Sequence, residues 1–347
     1  MEFLQSMRIF VSVRKITLFF LIVTLCWACT QSRTSAYEPY PIDKDSQLHT
    51  YVFWNVENAF DTIDDPHASD HEFTPQSKRE WNRFKYRDKI NKIAEGIRAT
   101  GKEKPATIVG LAEIENANIL KDLLHSPPLE NTPYQWVHCP SNDPRGIDLG
   151  LLYDTTQFMG HNAFSKYPLN QGFWRSRPIV WIEMYTFTGD TLDVFLNHWS
   201  SKRGGKKAVT KRGLMARRLS QLTDSLSGKG RNYLLVMGDF NESPTEENMK
   251  WLQDSSSTLV NLVKNLPGGT HFYRGHWAFL DQIWVSKALA KGYLDDSAEA
   301  IKEEMWMEYS SKYKTEIPFR SWKGSYYQGG FSDHLPVRAQ IYFPPEN

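Results

Sequence analysis

The chain has 347 residues, 40% of them hydrophobic and 23% charged, with a formal net charge of +1 at pH 7. That length can bury a large core, and the composition excludes a disordered or collagenous chain. The near-neutral charge excludes a globally basic nucleic-acid binder, so any polyanion contact has to come from a local patch.

Residues 1–36 read as an export signal. Arg8, Arg14 and Lys15 precede an apolar run from Ile16 to Ala28, after which the sequence turns polar. A basic flank with so short an apolar stretch describes a leader rather than a membrane span. Thr34-Ser35-Ala36 offers a small-residue cleavage site. Ala28-Cys29 offers the alternative, a lipoprotein junction that would tether the chain to a membrane through Cys29, although Cys26-Trp27 fits a lipobox poorly. The expected location is outside the cytoplasm: periplasmic, at the cell surface or secreted. Without the leader the chain holds 37 basic and 39 acidic residues and a lone cysteine, Cys139, which can form no internal disulfide.

A polar linker over 37–47 leads into one domain over 48–347. Tyr51–Trp54 predicts a buried strand. Lys85–Thr100 predicts a helix, with Ile90, Ile93 and Ile97 at helical spacing and Gly101 as its stop. Thr107–Ile114 predicts a second buried strand and Asn116–Leu124 a short helix. Three strands follow, at Ile147–Tyr153, Ile179–Phe187 and Leu192–Asn197, the last two joined through the tight turn at Thr188-Gly189-Asp190. Lys206–Leu226 predicts a helix, and Tyr233–Met237, Leu280–Val285 and Pro336–Phe343 the remaining strands. Strand–helix–strand units mixed with hairpins imply mixed sheets covered by helices.

Polar residues recur where these strands end. Asn55-Val56-Glu57-Asn58 follows the first, Glu113 closes the second, and Asn197-His198 closes the hairpin. Gly238-Asp239-Phe240-Asn241 follows another apolar run, and Ser332-Asp333-His334 precedes the final strand. Each alone is ordinary, since a carboxylate at a strand end is usually solvated and an aspartate in a turn usually caps backbone amides. Asp281 is less ordinary. It lies between Leu280 and Ile283, and a buried carboxylate needs a partner, for which a histidine is a natural choice.

In order and spacing these residues resemble the endonuclease/exonuclease/phosphatase superfamily, over roughly residues 48–345. Gly-Asp-Phe-Asn at 238–241 and Ser-Asp-His at 332–334 are the sharpest pieces, with Trp54-Asn55, Glu113 and Asp281 in the expected order. The resemblance implies a deoxyribonuclease-I-like four-layer α/β sandwich, two mixed β-sheets packed face to face with helices outside. It also implies a phosphoesterase that uses Mg²⁺, with Mn²⁺ as a substitute, and an in-line attack of water. Glu113 would be the principal metal ligand, supported by Asn55, Glu57 and Asp333, because a hard cation takes carboxylate oxygens and keeps waters for phosphate to displace. Asp239 would activate the water and Asn241 orient it. His334, held by Asp281, would donate to the phosphoryl oxygens as charge builds there. His198 would protonate the leaving oxygen, with Asp148 free to orient its ring and Arg145 a candidate phosphate clamp.

Asn197-His198-Trp199-Ser200-Ser201-Lys202 is similar to secreted bacterial nucleases of the superfamily. Lys202, Arg203, Lys206, Lys207, Lys211, Arg212, Arg217 and Arg218 share one loop and helix. They would either track a nucleic-acid backbone or form a solvated face. Aromatics at Phe173, Trp174, Trp277, Trp322, Tyr326 and Tyr327 would rim the cleft or merely pack. Three readings follow: a nuclease or general phosphodiesterase, a phosphatase or phospholipase-C-like enzyme, and a surface-binding protein that kept the fold and lost the chemistry. The last predicts gaps in the expected set, and the sequence has none. A monomer acting on a phosphate ester is expected.

Overall fold

The computed structural model describes residues 48–343, apart from 102, 163, 172, 173 and 188. The expected leader, linker and tether at Cys29, together with Phe173 and Thr188, lie outside the described residues.

Two mixed sheets carry the fold. The first contains β1 (Leu48–Ala59), β2 (Ile108–Ile114), β3 (Tyr134–Cys139) and β4 (Asp148–Asp154). The second gathers β5 (Phe158–His161), β6 (Ser165–Tyr167), β7 (Ile179–Thr186), β8 (Thr191–His198), β9 (Leu234–Asp239), β10 (Leu259–Asn261) and β11 (Asp281–Ser286). Two later strands, β12 (Glu299–Ala300) and β13 (Val337–Tyr342), return to the first. The strand order is β12-β13-β1-β2-β4-β3 in the first sheet and β10-β11-β9-β8-β7-β5 in the second, where β6 also pairs with β7.

Within the β1–β2 and β8–β9 pairs the strands run parallel, and every other neighbour in these sheets is antiparallel. A parallel pair needs a crossover, and a helix supplies each. Helix α1 (Arg83–Thr100) joins β1 to β2, and α3 (Gly205–Ser227) joins β8 to β9. Asn82 starts α1 by accepting from the Phe84 and Lys85 backbone N–H groups, and Asn116 starts α2 (Ala117–Leu124) the same way.

Period-two alternation decides which side chains meet. Tyr51 and Phe53 of β1 face the layer between the sheets, where Val180 and Ile182 of β7, Val194 and Leu196 of β8, and Met237 of β9 come from the other side. Val52, Trp54 and Val56 point outward under α1, where Ile90, Ile93, Ala94 and Ile97 cover them. Phe195 and Val236 point outward from the second sheet under Met215, Ala216 and Leu219 of α3 and Met249 and Leu252 of α4 (Glu247–Ser255). This is the expected sandwich: helix, sheet, sheet, helix. The sheets approach closely at Gly110, where a Cβ would stand 2.9 Å from Leu196 Cδ2 and 3.0 Å from Phe53 Cδ2.

Candidate active site

The topology puts the C-terminal ends of both parallel pairs at one rim. Asn55 ends the regular pairing of β1 with β2, Glu113 lies one residue from the end of β2, and His198 and Asp239 close β8 and β9. The antiparallel strands bring their opposite ends to the same rim. Asp281 opens β11 directly across from Asp239, which is itself across from His198, so three polar residues form one row over the second sheet. His334 precedes β13, whose Val337 pairs with Phe53. Most of this row is deeply buried, with Asp239 2%, His198 3% and Asp281 0% exposed.

The strand ends are not regular. Glu57, Asn58, Glu113 and Asn241 all have positive φ, and the β1–β2 and β2–β4 registers shift there. Non-glycine residues in that region cost free energy, and bulges of this kind re-aim side chains beside functional sites.

Hydrogen bonds knit the cluster. Asn55 Nδ2 donates to Asp239 Oδ2 at 3.2 Å, and the Asn241 backbone N–H donates to Asp239 Oδ1 at 2.9 Å. His334 Nδ1 lies 2.7 Å from Asp281 Oδ2, while Trp54 Nε1 donates to the His334 carbonyl at 2.8 Å. Burial, then the facing Asp281 carboxylate, push the Asp239 carboxyl up to about 7, against the pull of His334, the Asn241 N–H and Arg177. Burial alone would lower His334. The charge and hydrogen bond of Asp281, with Asp239 and Asp333, outweigh it and hold the imidazole well above its ordinary value.

His198 is held differently. Arg177 Nη1 stands 2.8 Å from Nδ1 and 2.5 Å from Nε2 of the ring. Burial, followed by the charges of Arg177, Arg145 and His334, drives His198 well below its ordinary range, so the imidazole is neutral and accepts from arginine. The ring orienter expected in Asp148 is therefore corrected. Asp148 Oδ2 takes His138 Nε2 at 2.8 Å, and Oδ1 takes the Ser141 N–H at 2.6 Å, so both oxygens are engaged by β3, the edge strand beside β4, and by the loop after it.

Glu113 stands at the mouth, its side chain 12% exposed. Its Oε2 accepts from the Asn58 N–H at 2.9 Å, while Oε1 keeps Arg145 Nη1 at 3.8 Å and His198 Nε2 at 3.9 Å. Arg145 is aimed by Asp143, whose Oδ1 takes its Nε at 3.1 Å, and Asp143 also lies 3.7 Å from Arg177 Nε. Two arginines thus flank the cluster, where the sequence pointed to one.

The cluster suits a hard divalent cation. Asp239, Asp281 and His334 each bring a ligand atom within 4.8 Å of the others, and Asp281 Oδ1 is buried with no hydrogen-bond partner. The Asp281 side is closed by its bond to His334 and is fully buried, whereas the Glu113 side chain keeps some exposure. Glu113, with Asp239 and Asn55 behind it, is thus the better entry for a cation that keeps its waters.

Glu57 and Asp333 depart from the metal-side expectation. Glu57 is 2% exposed and accepts from the Ser321 N–H at 2.6 Å and from Arg320 Nη2 at 2.9 Å; the same Nη2 reaches Asp333 Oδ2 at 3.0 Å. Glu57 thus pairs with Arg320, and buried Lys89, which donates to the Val56 and Phe331 carbonyls and the Ser321 hydroxyl, lies nearby. Burial and then Asp333 push Glu57 up to about 7, and burial pushes Lys89 down to about 8. For Asp333 burial raises the carboxyl, but His334, Arg320, His271 and Lys89 outweigh it and hold it below its ordinary value.

The basic stretch is partly spent on structure. Lys202 donates to Glu246 at 2.6 Å, Arg212 is buried against Glu242 at 2.7 Å, and Arg217 and Arg218 lie over the rings of Trp251 and Tyr167. Arg203, Lys206 and Lys207 remain exposed. Trp322 is 3% exposed and packs with Phe73, Trp81 and Tyr327 instead of rimming the cleft, whereas Tyr326 is 70% exposed. Sequence reading missed Arg177, Asp143, Arg320, Lys89 and His271, whose ring sits 4.7 Å from that of His334. None belongs to a motif or follows an apolar run into the rim.

Two mixed sheets joined face to face, with this cluster at the rim where their parallel strands end, define the deoxyribonuclease-I-like class. The chain belongs to the endonuclease/exonuclease/phosphatase family, whose sequence model matches residues 50–342. Proteins of this family hydrolyse phosphoesters and generally use divalent metals. The chain is similar to a solved family member from Bacteroides thetaiotaomicron at TM-score 0.58 and 17% identity, over 89% of this chain and 100% of that one. It is similar to the mannosyl-6-phosphatase of the same organism at 0.55 and 18%, over 85% and 100%. A D. rerio TDP2 complexed with a single-strand DNA product is similar at 0.55 and 12%, over 86% and 100%. No curated protein matches the chain.

Proposed function

We propose that the chain is an exported phosphodiesterase, Mg²⁺-dependent with Mn²⁺ able to substitute, that cleaves a P–O bond by in-line attack of water. The observation that supports this most is the row His198–Asp239–Asp281 with His334 locked to Asp281, facing Glu113 across the rim. Bound Mg²⁺ would neutralise charge on the phosphoryl group, held by Glu113 with Asn55 and Asp239 beside it. Asp239, at about 7, is poised to take a proton from water near neutral pH. Asn241 Nδ2 donates to the Trp199 carbonyl at 3.1 Å, which fixes its amide beside Asp239. His334, cationic and anchored, donates to the equatorial oxygens through its other ring nitrogen. Neutral His198, held by Arg177, is a hydrogen-bond partner for the leaving side rather than the acid expected of it, and solvent supplies the proton that the leaving oxygen takes up.

A phosphomonoesterase is the second reading, favoured by the pair Arg145 and Arg177, whose two guanidinium charges match a dianionic terminal phosphate better than a diester. Export and a monomeric state belong to the same proposal and rest on the leader and composition; cleavage after Ala36 is the favoured processing, with lipidation at Cys29 the competing one.

Purified protein with Mg²⁺ is expected to cleave plasmid DNA, RNA or bis-p-nitrophenyl phosphate, and Asp239→Ala or His334→Ala to lower the rate by roughly 10²–10³. Turnover of p-nitrophenyl phosphate alone would replace the diesterase by the monoesterase. Full activity in either variant would remove the assigned roles.

A further inference from the structure

A second group of acids lies outside the catalytic cluster, on the segment after β1. Asp70 is 2% exposed, and its Oδ2 accepts from the Asp65 N–H at 3.1 Å. Its other oxygen, Oδ1, is buried and has no hydrogen-bond partner. The Glu115 carboxyl, 9% exposed, is tied to the same segment through the Asp61 backbone. An ionised carboxylate oxygen buried without a partner is costly, so Asp70 Oδ1 calls for either a cation or a proton.

The neighbours do not supply it. Glu115 Oε2 takes the Asp61 N–H at 2.5 Å, and the Asp61 carboxylate takes Ile63 N–H and Asn116 Nδ2. Among the described residues no lysine or arginine pairs with Asp61, Asp64, Asp70 or Glu115. A positive partner approaches from the surface alone: His71 Nδ1 lies 2.6 Å from Asp64 Oδ1, and Asp64, Asp70 and His71 each bring a ligand atom within 4.8 Å of the others. Asp64 and His71 are open to solvent, with side chains 53% and 71% exposed, and they give the buried Asp70 a path outward.

We propose that Asp64, Asp70 and the His71 imidazole form a second divalent-cation site, separate from the catalytic cluster and suited to Ca²⁺, with Glu115 behind them. Carboxylate oxygens dominate the donors, which is what a hard cation of flexible coordination takes. The orphaned Asp70 Oδ1 is the innermost ligand. The site ties three segments together. Glu115 stands two residues beyond Glu113. The Ser69 N–H donates to the Pro144 carbonyl at 2.7 Å, and a Cβ on Gly146 would stand 2.8 Å from Ala68. A cation here pins the loop over 61–71 against the 143–146 turn, which carries Asp143 and Arg145.

The test is thermal unfolding and calorimetric Ca²⁺ titration of the full-length chain, in EDTA and in Ca²⁺. It compares wild type with Asp70→Asn, Asp64→Asn and Glu113→Gln. Ca²⁺ is expected to raise the melting temperature of wild type and of Glu113→Gln, whose catalytic cluster has lost a carboxylate. Both other variants should bind Ca²⁺ at least about tenfold more weakly. Asp64 is half exposed, so its variant answers even where Asp70→Asn fails to fold. An unchanged Ca²⁺ response in Asp64→Asn and Asp70→Asn would overturn the site, and so would a wild type indifferent to Ca²⁺, which would leave a proton on Asp70 in the cation's place. Loss of the response in Glu113→Gln would move the cation to the catalytic cluster. Saturation by Zn²⁺ without Ca²⁺ would overturn the calcium assignment.

Discussion

At the scale of single residues, burial sets the chemistry more than charge counting does. His49 illustrates this away from the rim. It is 4% exposed among Tyr51, Phe158 and Phe343, its Nδ1 has no partner, and burial pushes it down to about 4. The folded state holds this ring neutral while the unfolded chain protonates it near 6.5, so the unfolded state binds more protons between those values. Stability is therefore full above about 6.5 and falls as the pH drops toward 4, by up to about 3 kcal/mol. His49→Phe is expected to flatten that part of the acid limb in urea midpoints measured at pH 7 and pH 4.5, and an unchanged slope would refute it. The same scale shows what the sequence revealed of the site. Residues that end apolar runs, such as Asn55, Glu113, His198 and Asp239, were legible because the chain itself carries them to the rim. Arg177 and Asp143 were not, since only tertiary packing decides that an arginine before β7 reaches the end of β8.

At the scale of elements, helices with an apolar stripe and strands with buried faces were readable, and their limits fall within a few residues of the structure. Helix α4 was missed because Met249 and Leu252 are its buried residues, too few for a stripe. Strand β3 was missed because Gln135, Trp136 and His138 interrupt its apolar side at a sheet edge. Short hairpins such as His271–Tyr273 with His276–Ala278 carry no period at all. One contact between elements has a measurable consequence. Lys89 of α1 donates to the Val56 and Phe331 carbonyls, at 2.5 Å and 2.7 Å, and its charge faces Glu57 at the end of β1. Lys89→Met should cost about 3–5 kcal/mol by leaving the Glu57 carboxylate less compensated, and adding Glu57→Gln should recover part of that. A double-mutant cycle in urea measures the coupling, and strict additivity would show that the two do not communicate.

At the scale of the whole molecule, the inter-sheet layer fixes how the two halves of the rim meet. Gly110 sits at a tight point of that layer, facing Leu196 and Met237 across it. Gly110→Ala should destabilise the fold by about 1–3 kcal/mol through overpacking. It should also lower phosphoester turnover, because Glu113 and Asp239 ride on opposite sheets. Unfolding and activity measured on one preparation separate the two effects, and a fully stable, fully active variant would mean the layer yields easily. Sheet order was legible only in outline from the crossovers. Which strand of one sheet lies over which strand of the other is set by side-chain volumes in this layer, and no local pattern records them.

The pairing of β1 with β13 gives the molecule a timetable. Leu48 stands opposite Tyr342, so the earliest described strand finds its antiparallel neighbour only in the latest. A chain emerging from the ribosome can lay down α1 and β2 early, yet its first strand keeps an open edge until translation has passed residue 342. His334, whose carbonyl accepts from Trp54, arrives in the same final stretch. The rim cluster is thus incomplete in every nascent intermediate and assembles at a single late moment, when the ends of the folded region close on each other.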